Sequence, residues 1–157
     1  MAADLRTELK QTKPFRGVRH EASLSIQRTA AVLEHAFETW LKPSGITATQ
    51  YNVLRILRGA GSNGLCRNEV RERMVRRVPD VTRLLDRLEE QGLIGRARGG
   101  TDRRYVTTRI TRAGLKILAD LDEAVDEFHQ QELGHMAEGR LQVLVDLLAE
   151  VRGKDPE

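Results

Sequence analysis

The chain has 157 residues, of which 31% are charged and only 4% aromatic, and its net charge is +3. This length suits one compact domain with helical oligomerisation arms. The single cysteine, Cys66, excludes an intramolecular disulfide framework and favours a reducing cytoplasm. No apolar run approaches the roughly 18 residues that span a bilayer, and the N-terminus lacks a hydrophobic signal core, so we expect a cytoplasmic protein with no membrane partner.

Positive charge is concentrated in the middle of the sequence. Residues 65–112 contain 13 basic and 7 acidic residues, whereas residues 113–157 contain 4 basic and 11 acidic ones. A cationic middle next to an acidic end is typical of a chain that turns only its middle toward phosphates. A basic segment that is merely solvated is the alternative.

Apolar periodicity predicts two helices in the first part of the chain. The apolar residues from Ile26 to Trp40 recur at spacings of three and four, which predicts a helix from about 21 to 41. Pro43 and Gly45 end it. Thr47 is suited to cap a second helix, which continues to a glycine-rich turn at 59–64.

Two shorter helices follow, one from about 67 to 75 and one from about 80 to 91. The second ends at Gly92, because glycine accepts the left-handed conformation without a side-chain penalty. Its buried stripe comprises Val81, Leu84, Leu85 and Leu88.

The opposite side of this fourth helix carries Thr82, Arg83 and Arg87. Arginine can donate two hydrogen bonds to guanine, and threonine can offer a hydroxyl to a base edge or a methyl to thymine. These side chains therefore predict a helix that reads the major groove. The alternative is a solvated face on which Arg83 pairs with Asp86 and Arg87 with Glu90.

The next segment predicts a β-hairpin and a long helix. Residues 93–98 and 105–110 have strand patterns and are separated by a Gly-Gly turn, and Thr111 is suited to cap the helix that follows. This order of elements predicts a mainly α protein with a small β-hairpin wing, that is, a winged helix-turn-helix domain in an α-helical frame. The apolar stripe of the long helix comprises Leu118, Leu121, Val125 and Phe128.

From about Ala22 to Val151 the sequence closely resembles the MarR family of transcriptional regulators. The motifs that carry the resemblance are Val81-Thr82-Arg83-Leu84, Arg87-Leu88-Glu89, Gly92-Leu93 and the stretch from Asp102-Arg103-Arg104 to Thr111 and Gly114. The resemblance implies a homodimer that presents two winged helices to a near-palindromic operator in double-stranded DNA. It further implies a repressor that responds to a small phenolic or anionic effector.

The resemblance also assigns roles to particular residues. Thr82, Arg83 and Arg87 are expected in the major groove, Arg104 at the wing tip in the minor groove, and Asp102 in an ion pair that orients an arginine. A narrow minor groove attracts arginine through its negative potential. Sequence leaves the phosphate contacts unsorted among Arg67, Arg76, Arg77 and Arg103.

This interpretation divides the chain into three parts. Residues 1–45 form an N-terminal dimerisation helix and arm, residues 46–112 the winged helix-turn-helix domain, and residues 113–157 the C-terminal dimerisation helices. The side chains suited to border an effector pocket, or alternatively to form ordinary core packing, are His35, Phe37, Trp40 and Tyr51.

Two residues depart from the family pattern. Asp80 lies in the opening turn of the fourth helix, where it either faces away from the DNA backbone or accepts a hydrogen bond from cytosine. Cys66 stands before the third helix, where the family commonly has a hydroxyl cap. The helix end and Arg67 favour its thiolate, so Cys66 is either a redox-sensing thiol or a small, inert cysteine.

Three other patterns do not support a different function. The glycines at 59, 61 and 64 match a dinucleotide-binding spacing, but they follow a helix pattern instead of a strand and predict a turn. His129, Glu132 and His135 have helical spacing but lack a further ligand, so we expect no metal and no cofactor.

No catalytic constellation is evident, so an enzyme is only a distant third possibility. The main alternative to a specific regulator is a winged helix that binds DNA nonspecifically or serves as a protein-interaction module.

Overall fold

The computed structural model describes residues 4–98 and 106–153, and the chain divides into two compact units, Met1–Leu115 and Lys116–Glu157. Most of the described residues are helical, and one antiparallel hairpin is present among them. This confirms the predicted winged-helix fold class. The helices are α1 (Leu5–Glu8), α2 (Val18–Leu41), α3 (Ala48–Ala60), α4 (Arg67–Arg73), α5 (Val81–Glu90), α6 (Arg112–Leu133) and α7 (Glu138–Arg152), and the strands are β1 (Ile94–Arg98) and β2 (Val106–Ile110).

The cap of α3 forms as the sequence predicts. Thr47 Oγ1 accepts a hydrogen bond from Gln50 N at 3.1 Å, and Gln50 Oε1 accepts one from Thr47 N at 3.0 Å. This reciprocal pair satisfies two backbone donors that the first turn of a helix leaves without partners. The start of α3, and with it the helix-turn-helix, is thereby fixed locally.

Helices α3, α4 and α5 share an apolar core. The most deeply buried side chain of α5 is Leu88, and Leu85 is almost as buried. The helix ends where Gly92 takes a left-handed φ of 72°, as predicted. Other core residues of these helices are Val53, Leu54, Leu57 and Val70.

A single antiparallel bridge joins the hairpin to the turn before α4. Strands β1 and β2 pair from Ile94 opposite Ile110 to Arg98 opposite Val106. Leu65 then pairs with Thr108, donating at 3.0 Å and accepting at 2.8 Å. The wing is therefore hydrogen-bonded to the helix-turn-helix.

Gly64 makes this pairing possible. Its φ is 66°, and a Cβ placed there would lie 2.6 Å from the Thr108 carbonyl oxygen. Only glycine fits a positive φ at such a close approach. Gly61 and Gly64 thus belong to a turn after α3, as predicted, whereas Gly59 lies in the last turn of α3 itself. The three glycines follow a helix and not the strand that a nucleotide-binding loop requires.

Thr111 joins the end of α5 to the first turn of α6. Its hydroxyl donates to the Gly92 carbonyl at 2.7 Å and accepts from Gly114 N at 3.2 Å, and its backbone N–H donates to the Leu93 carbonyl at 3.1 Å. The predicted cap is confirmed. It also closes the connection between the wing and α6.

The second unit contains most of α6 and all of α7. Helix α6 ends at Leu133, and the chain turns through hydrogen bonds from Gly134 N to Gln130 O and from Met136 N to Leu133 O. His135 therefore lies in a turn after α6, so its spacing from His129 and Glu132 is not that of one continuous helix. The large apolar side chains of α7 that are exposed are Val143, Leu144, Val145, Leu147 and Val151.

No helix among residues 4–98 and 106–153 has the length and apolar character required to cross a membrane.

Candidate nucleic-acid interface

Helix α5 turns its polar side to solvent. Thr82, Arg83 and Arg87 are exposed, whereas Val81, Leu85 and Leu88 on the other side are buried. The predicted division of this helix into an apolar and a polar face is therefore confirmed, except that Leu84, also expected in the buried stripe, is only half-buried. A helix that projects such a face has the shape required to enter a major groove.

Asp80 is the N-cap of α5. Its Oδ1 accepts a hydrogen bond from Arg83 N at 2.9 Å. An aspartate at this position satisfies a free backbone donor and also favours the positive end of the helix dipole. The cap accounts for an acidic residue next to three side chains suited to DNA, which the sequence alone left open.

The two arginines of α5 have no acidic partner in the part of the chain that the structure describes. Asp86, the expected partner of Arg83, instead accepts a hydrogen bond from Arg96 Nη2 at 2.6 Å. The alternative of a face neutralised by pairs within α5 is thus not what the structure shows. Arg83 and Arg87 keep their charges available for a ligand.

Arg96 of β1 binds the acidic side of α5. Its Nε and Nη2 donate to Glu89 Oε2 at 2.9 and 2.5 Å, and its backbone N–H donates to Glu89 Oε1 at 3.2 Å. The hydrogen bond from the Arg96 side chain holds the pKa of the Glu89 carboxyl below its ordinary value. The same contact raises the pKa of Arg96. A guanidinium shared between two carboxylates fixes the wing strand against α5.

Sequence reasoning missed Arg96. Its partners lie seven and ten residues earlier in the chain, a separation that no helical spacing brings together. The signal that was available is the alternation of β1, in which Arg96 stands at a position that would otherwise be apolar.

Arg67, at the start of α4, reaches across to α5. Its Nη1 donates a hydrogen bond to Thr82 Oγ1 at 3.1 Å. The structure thus brings together a residue expected to contact phosphate and a residue expected to read a base.

The connection between α4 and α5 carries two more cations. Arg77 is exposed. Arg76 forms an ion pair with Glu34 of α2, and the side chains of Arg76 and Glu34 are both exposed to solvent. The segment is held in place by Asn52 of α3, whose Oδ1 accepts from Val75 N at 3.0 Å. Arg76 therefore shares its charge with an acidic group in this structure.

The predicted wing-tip residues Asp102, Arg103 and Arg104 lie outside the described residues. On the described strands of the wing, Arg98 and Arg109 are exposed, and Arg109 Nε donates to the Ser62 carbonyl at 2.7 Å. All 13 basic residues between 65 and 112 are arginines. The cations of this region are thus planar, multiple donors suited to phosphates and to guanine.

Cys66 is the N-cap of α4 and is half-buried. Glu69 Oε2 accepts a hydrogen bond from Cys66 N at 2.7 Å, which is the carboxylate arm of a capping box. The Arg67 guanidinium is engaged with Thr82. The charged group in contact with Cys66 is therefore the Glu69 carboxylate, and the Arg67 guanidinium is directed to α5.

Aromatic side chains from α2 and α3 form a cluster. Phe37 stacks on Trp40 at a centroid distance of 5.7 Å and meets Tyr51 edge-on at 5.5 Å. The exposed guanidinium of Arg55 lies 5.9 Å from the centre of the Tyr51 ring. Tyr51 is buried and Phe37 and Trp40 are half-buried, whereas His35 is exposed and lies outside the contacts of this cluster.

Known proteins are similar to this chain in sequence and in fold. The MarR family model matches residues 46–106. The HTH-type transcriptional regulator FarR of Neisseria gonorrhoeae is 30% identical over 115 residues, which cover 73% of this chain and 77% of that protein.

Solved structures extend the match to most of the chain. A MarR transcription factor from Planctomyces limnophilus is 37% identical, with a TM-score of 0.67, over 87% of this chain and 98% of that one. A cysteine-to-serine mutant of MarR from E. coli, complexed with operator DNA, shares the fold with a TM-score of 0.76 at 24% identity, over 95% of this chain and 99% of that one. The family model covers the helix-turn-helix, and the solved structures match the fold over most of the chain. The chain belongs to the MarR family of transcriptional regulators.

Proposed function

We propose that the protein is a homodimeric, cytoplasmic repressor that binds a near-palindromic operator in double-stranded DNA. The observation that carries this proposal is the polar face of α5, where Arg83 and Arg87 are exposed and without an acidic partner among the described residues. The N-cap at Asp80 and the Arg96 contacts hold this face in a fixed position. Cationic donors on a helix held in place in this way favour base recognition over nonspecific attraction to phosphate.

Each protomer would contribute one α5 helix and one wing. Thr82, Arg83 and Arg87 enter the major groove, and Asp102, Arg103 and Arg104 act at the wing tip in or beside the minor groove. Arg76 and Arg77 contact phosphates at the margin of the same groove. The structural support for the last two is their position on the connection between α4 and α5.

Residues 1–45 and 113–157 would supply the dimer interface. The support is the exposure of five apolar side chains on α7, among them Val143 at 57% and Val151 at 57%. A partner helix that covers them would remove this apolar surface from water. Twofold symmetry would then place two α5 helices at half-sites about one turn of the duplex apart.

A phenolic or anionic effector would bind at the cluster of Phe37, Trp40 and Tyr51. The aromatic rings suit a flat ligand, and Arg55 supplies a cation beside them. Trp40 is the only tryptophan in the chain, so its fluorescence should change on titration with 4-hydroxybenzoate. An unchanged spectrum with this and with benzoate would leave the cluster as ordinary core packing.

Selection of tight binders from random duplex DNA tests the DNA-binding proposal. The selected duplex and a scrambled control are then titrated over a salt series. A palindrome bound at least about a thousandfold better than the control would support a specific dimeric regulator. Equal binding of both, with a steep fall in salt, would instead favour the nonspecific winged-helix module.

Two variants sharpen this experiment. Arg83→Ala removes the expected base contact and should cost about 1–3 kcal/mol on the selected site while leaving binding to the control nearly unchanged. Arg71→Ala removes one exposed arginine of α4 and serves as the charge-matched control. Equal losses for the two variants on both duplexes would contradict a base-reading role for Arg83.

A further inference from the structure

Arg67 was expected from the sequence to contact phosphate, but its hydrogen bond to Thr82 gives it a different place. The guanidinium donates through Nη1 to Thr82 Oγ1 at 3.1 Å, across from α4 to α5. Both side chains belong to exposed residues, so the contact lies on the surface that carries Arg83. We propose that Arg67 is a positioning residue for base recognition, which makes the Thr82 hydroxyl a donor toward DNA. This inference rests on the proposed function.

The chemistry of a hydroxyl group determines what Thr82 can offer to a base. A threonine hydroxyl has one hydrogen to donate and two lone pairs that accept, and its hydrogen rotates to suit its neighbours. Arginine has only donors. When Arg67 donates to Thr82 Oγ1, it occupies a lone pair of that oxygen and repels the hydroxyl hydrogen, which must point elsewhere.

The hydrogen of Thr82 has no acceptor among the residues that the structure describes. Thr82 lies in the first turn of α5, one residue after Val81 begins the helix, and its side chain is exposed. The hydrogen therefore points toward solvent, and in a complex toward the groove. Thr82 would be presented as a donor with a fixed direction.

A fixed donor distinguishes bases in the major groove. Guanine N7 and O6, adenine N7 and thymine O4 accept hydrogen bonds, whereas the exposed group of cytosine is a donor. Thr82 should therefore disfavour cytosine at the base that it contacts. Without Arg67 the hydroxyl is free to rotate and to accept from cytosine, so the discrimination should be lost.

The experiment compares five forms of the full-length protein: wild type, R67A, T82V, the double variant R67A/T82V, and R71A. Each is titrated with the selected operator and with duplexes that carry the other base pairs at every half-site position, over a salt series. R71A is the matched control because Arg71 lies one turn after Arg67 on α4, is exposed, and carries the same charge. Thermal unfolding of each variant confirms that it is folded.

We expect R67A and T82V to lose discrimination against cytosine at the same half-site position, by about threefold to tenfold, which is the effect of one hydrogen bond. Addition of R67A to T82V should change base preference no further, because the hydroxyl that Arg67 orients is already absent. R71A should keep every base preference. At most, it should weaken all duplexes alike and lower the salt slope by about 1.

Two results would overturn the inference while leaving the proposed function intact. R67A that weakens all duplexes equally, with a shallower salt slope and an unchanged motif, would make Arg67 a phosphate contact. T82V that keeps all base preferences would show that the hydroxyl reads nothing, and this result does not depend on the folding of R67A. Failure of the wild type to select any motif would overturn the proposed function and the inference together.

Discussion

The Arg96 guanidinium of β1 binds the Glu89 carboxylate of α5 through two nitrogens, Nε at 2.9 Å and Nη2 at 2.5 Å. Both nitrogens donate to one oxygen, Oε2, and the Arg96 backbone N–H donates to the other, Oε1, at 3.2 Å, so three hydrogen bonds join the strand to the helix. Strand β1 and helix α5 therefore move together. The wing and the helix that we propose to read DNA keep one relative orientation before any duplex binds.

Glu89→Gln should lower the free energy of unfolding at neutral pH. The difference from the wild type should become smaller as the pH falls. The pKa of Glu89 in the folded protein lies below its ordinary value of 4.5, so the folded state favours the carboxylate. The resulting stabilisation is present above that ordinary value and is lost as the pH falls through the folded-state pKa. Urea unfolding of wild type and variant from pH 7 down to pH 3 measures the difference. Its size should be modest, because the Glu89 side chain is 39% exposed.

Glu90→Gln is the control for this prediction. Glu90 is the next residue of α5, is exposed, and has no partner within the described part of the chain. Its loss removes the same charge without breaking a contact. If the two variants showed the same dependence on pH, the Arg96 contact would have no measurable effect on stability.

Gly114→Ala should destabilise the connection between the wing and α6. A Cβ at this position would collide with the Leu93 carbonyl oxygen and would lie 2.7 Å from Ile110 Cγ1. Relief of such overlap forces the backbone apart, at a cost of about 1–3 kcal/mol. Gly59→Ala in α3 places the new Cβ where no atom lies within 4 Å. This substitution should instead raise the free energy of unfolding by about 0.5–1 kcal/mol, because alanine favours a helix more than glycine does. Denaturant unfolding of the wild type and both variants measures these changes. A Gly114→Ala variant as stable as the wild type would contradict the close approach of Gly114 to Leu93 and Ile110.

Glu34→Gln should increase affinity for DNA. Arg76 forms an ion pair with Glu34, so part of its charge is unavailable to phosphate. Removal of the acid should strengthen binding to all duplexes by about twofold to fivefold at low salt, the range of an exposed pair. The gain should disappear in high salt because exposed charges are screened.

Glu21→Gln, also on α2, is the control for total charge, since it removes the same charge at a site without a described ion-pair partner. An equal gain from both substitutions would mean that net charge alone is responsible. No gain from Glu34→Gln would remove Arg76 from the proposed phosphate contacts.

Cys66→Ser should stabilise α4 by about 0.5–1 kcal/mol, because a hydroxyl is the preferred side-chain acceptor at an N-cap. The carboxylate arm of the capping box, in which Cys66 N donates to Glu69 Oε2, is already in place. Chemical unfolding of wild type and variant measures the gain. Mild peroxide should leave the DNA affinity of the wild type unchanged, as a capping role requires. A loss of affinity that Cys66→Ser prevents would instead establish redox sensing.

The sequence predicted the elements whose determinants are local. Thr47 and Thr111 cap helices where their side chains predict caps, and Gly92 ends α5 at the predicted residue. The apolar spacing of α5 is sufficient to assign its two faces because a helix repeats every 3.6 residues.

Contacts between elements could not be predicted in the same way. A spacing of three suggested that Asp86 pairs with Arg83, but Asp86 contacts Arg96 once the hairpin folds against α5. The hydrogen bond from Arg67 to Thr82 likewise spans fifteen residues and depends on how α4 crosses α5. More than one C-terminal helix was predicted, but the position of the break between α6 and α7, at Gly134 to Ala137, was not.

The exclusive use of arginine around α4, α5 and the wing has a consequence for covalent regulation. Lysine is absent from residues 43–115, and the five lysines of the chain are all found before or after this stretch. Acetylation, which removes positive charge from lysine, has no target there. Enzymes and reagents that modify amines can therefore change charges only outside residues 43–115. Every cation between Lys42 and Lys116 keeps its charge.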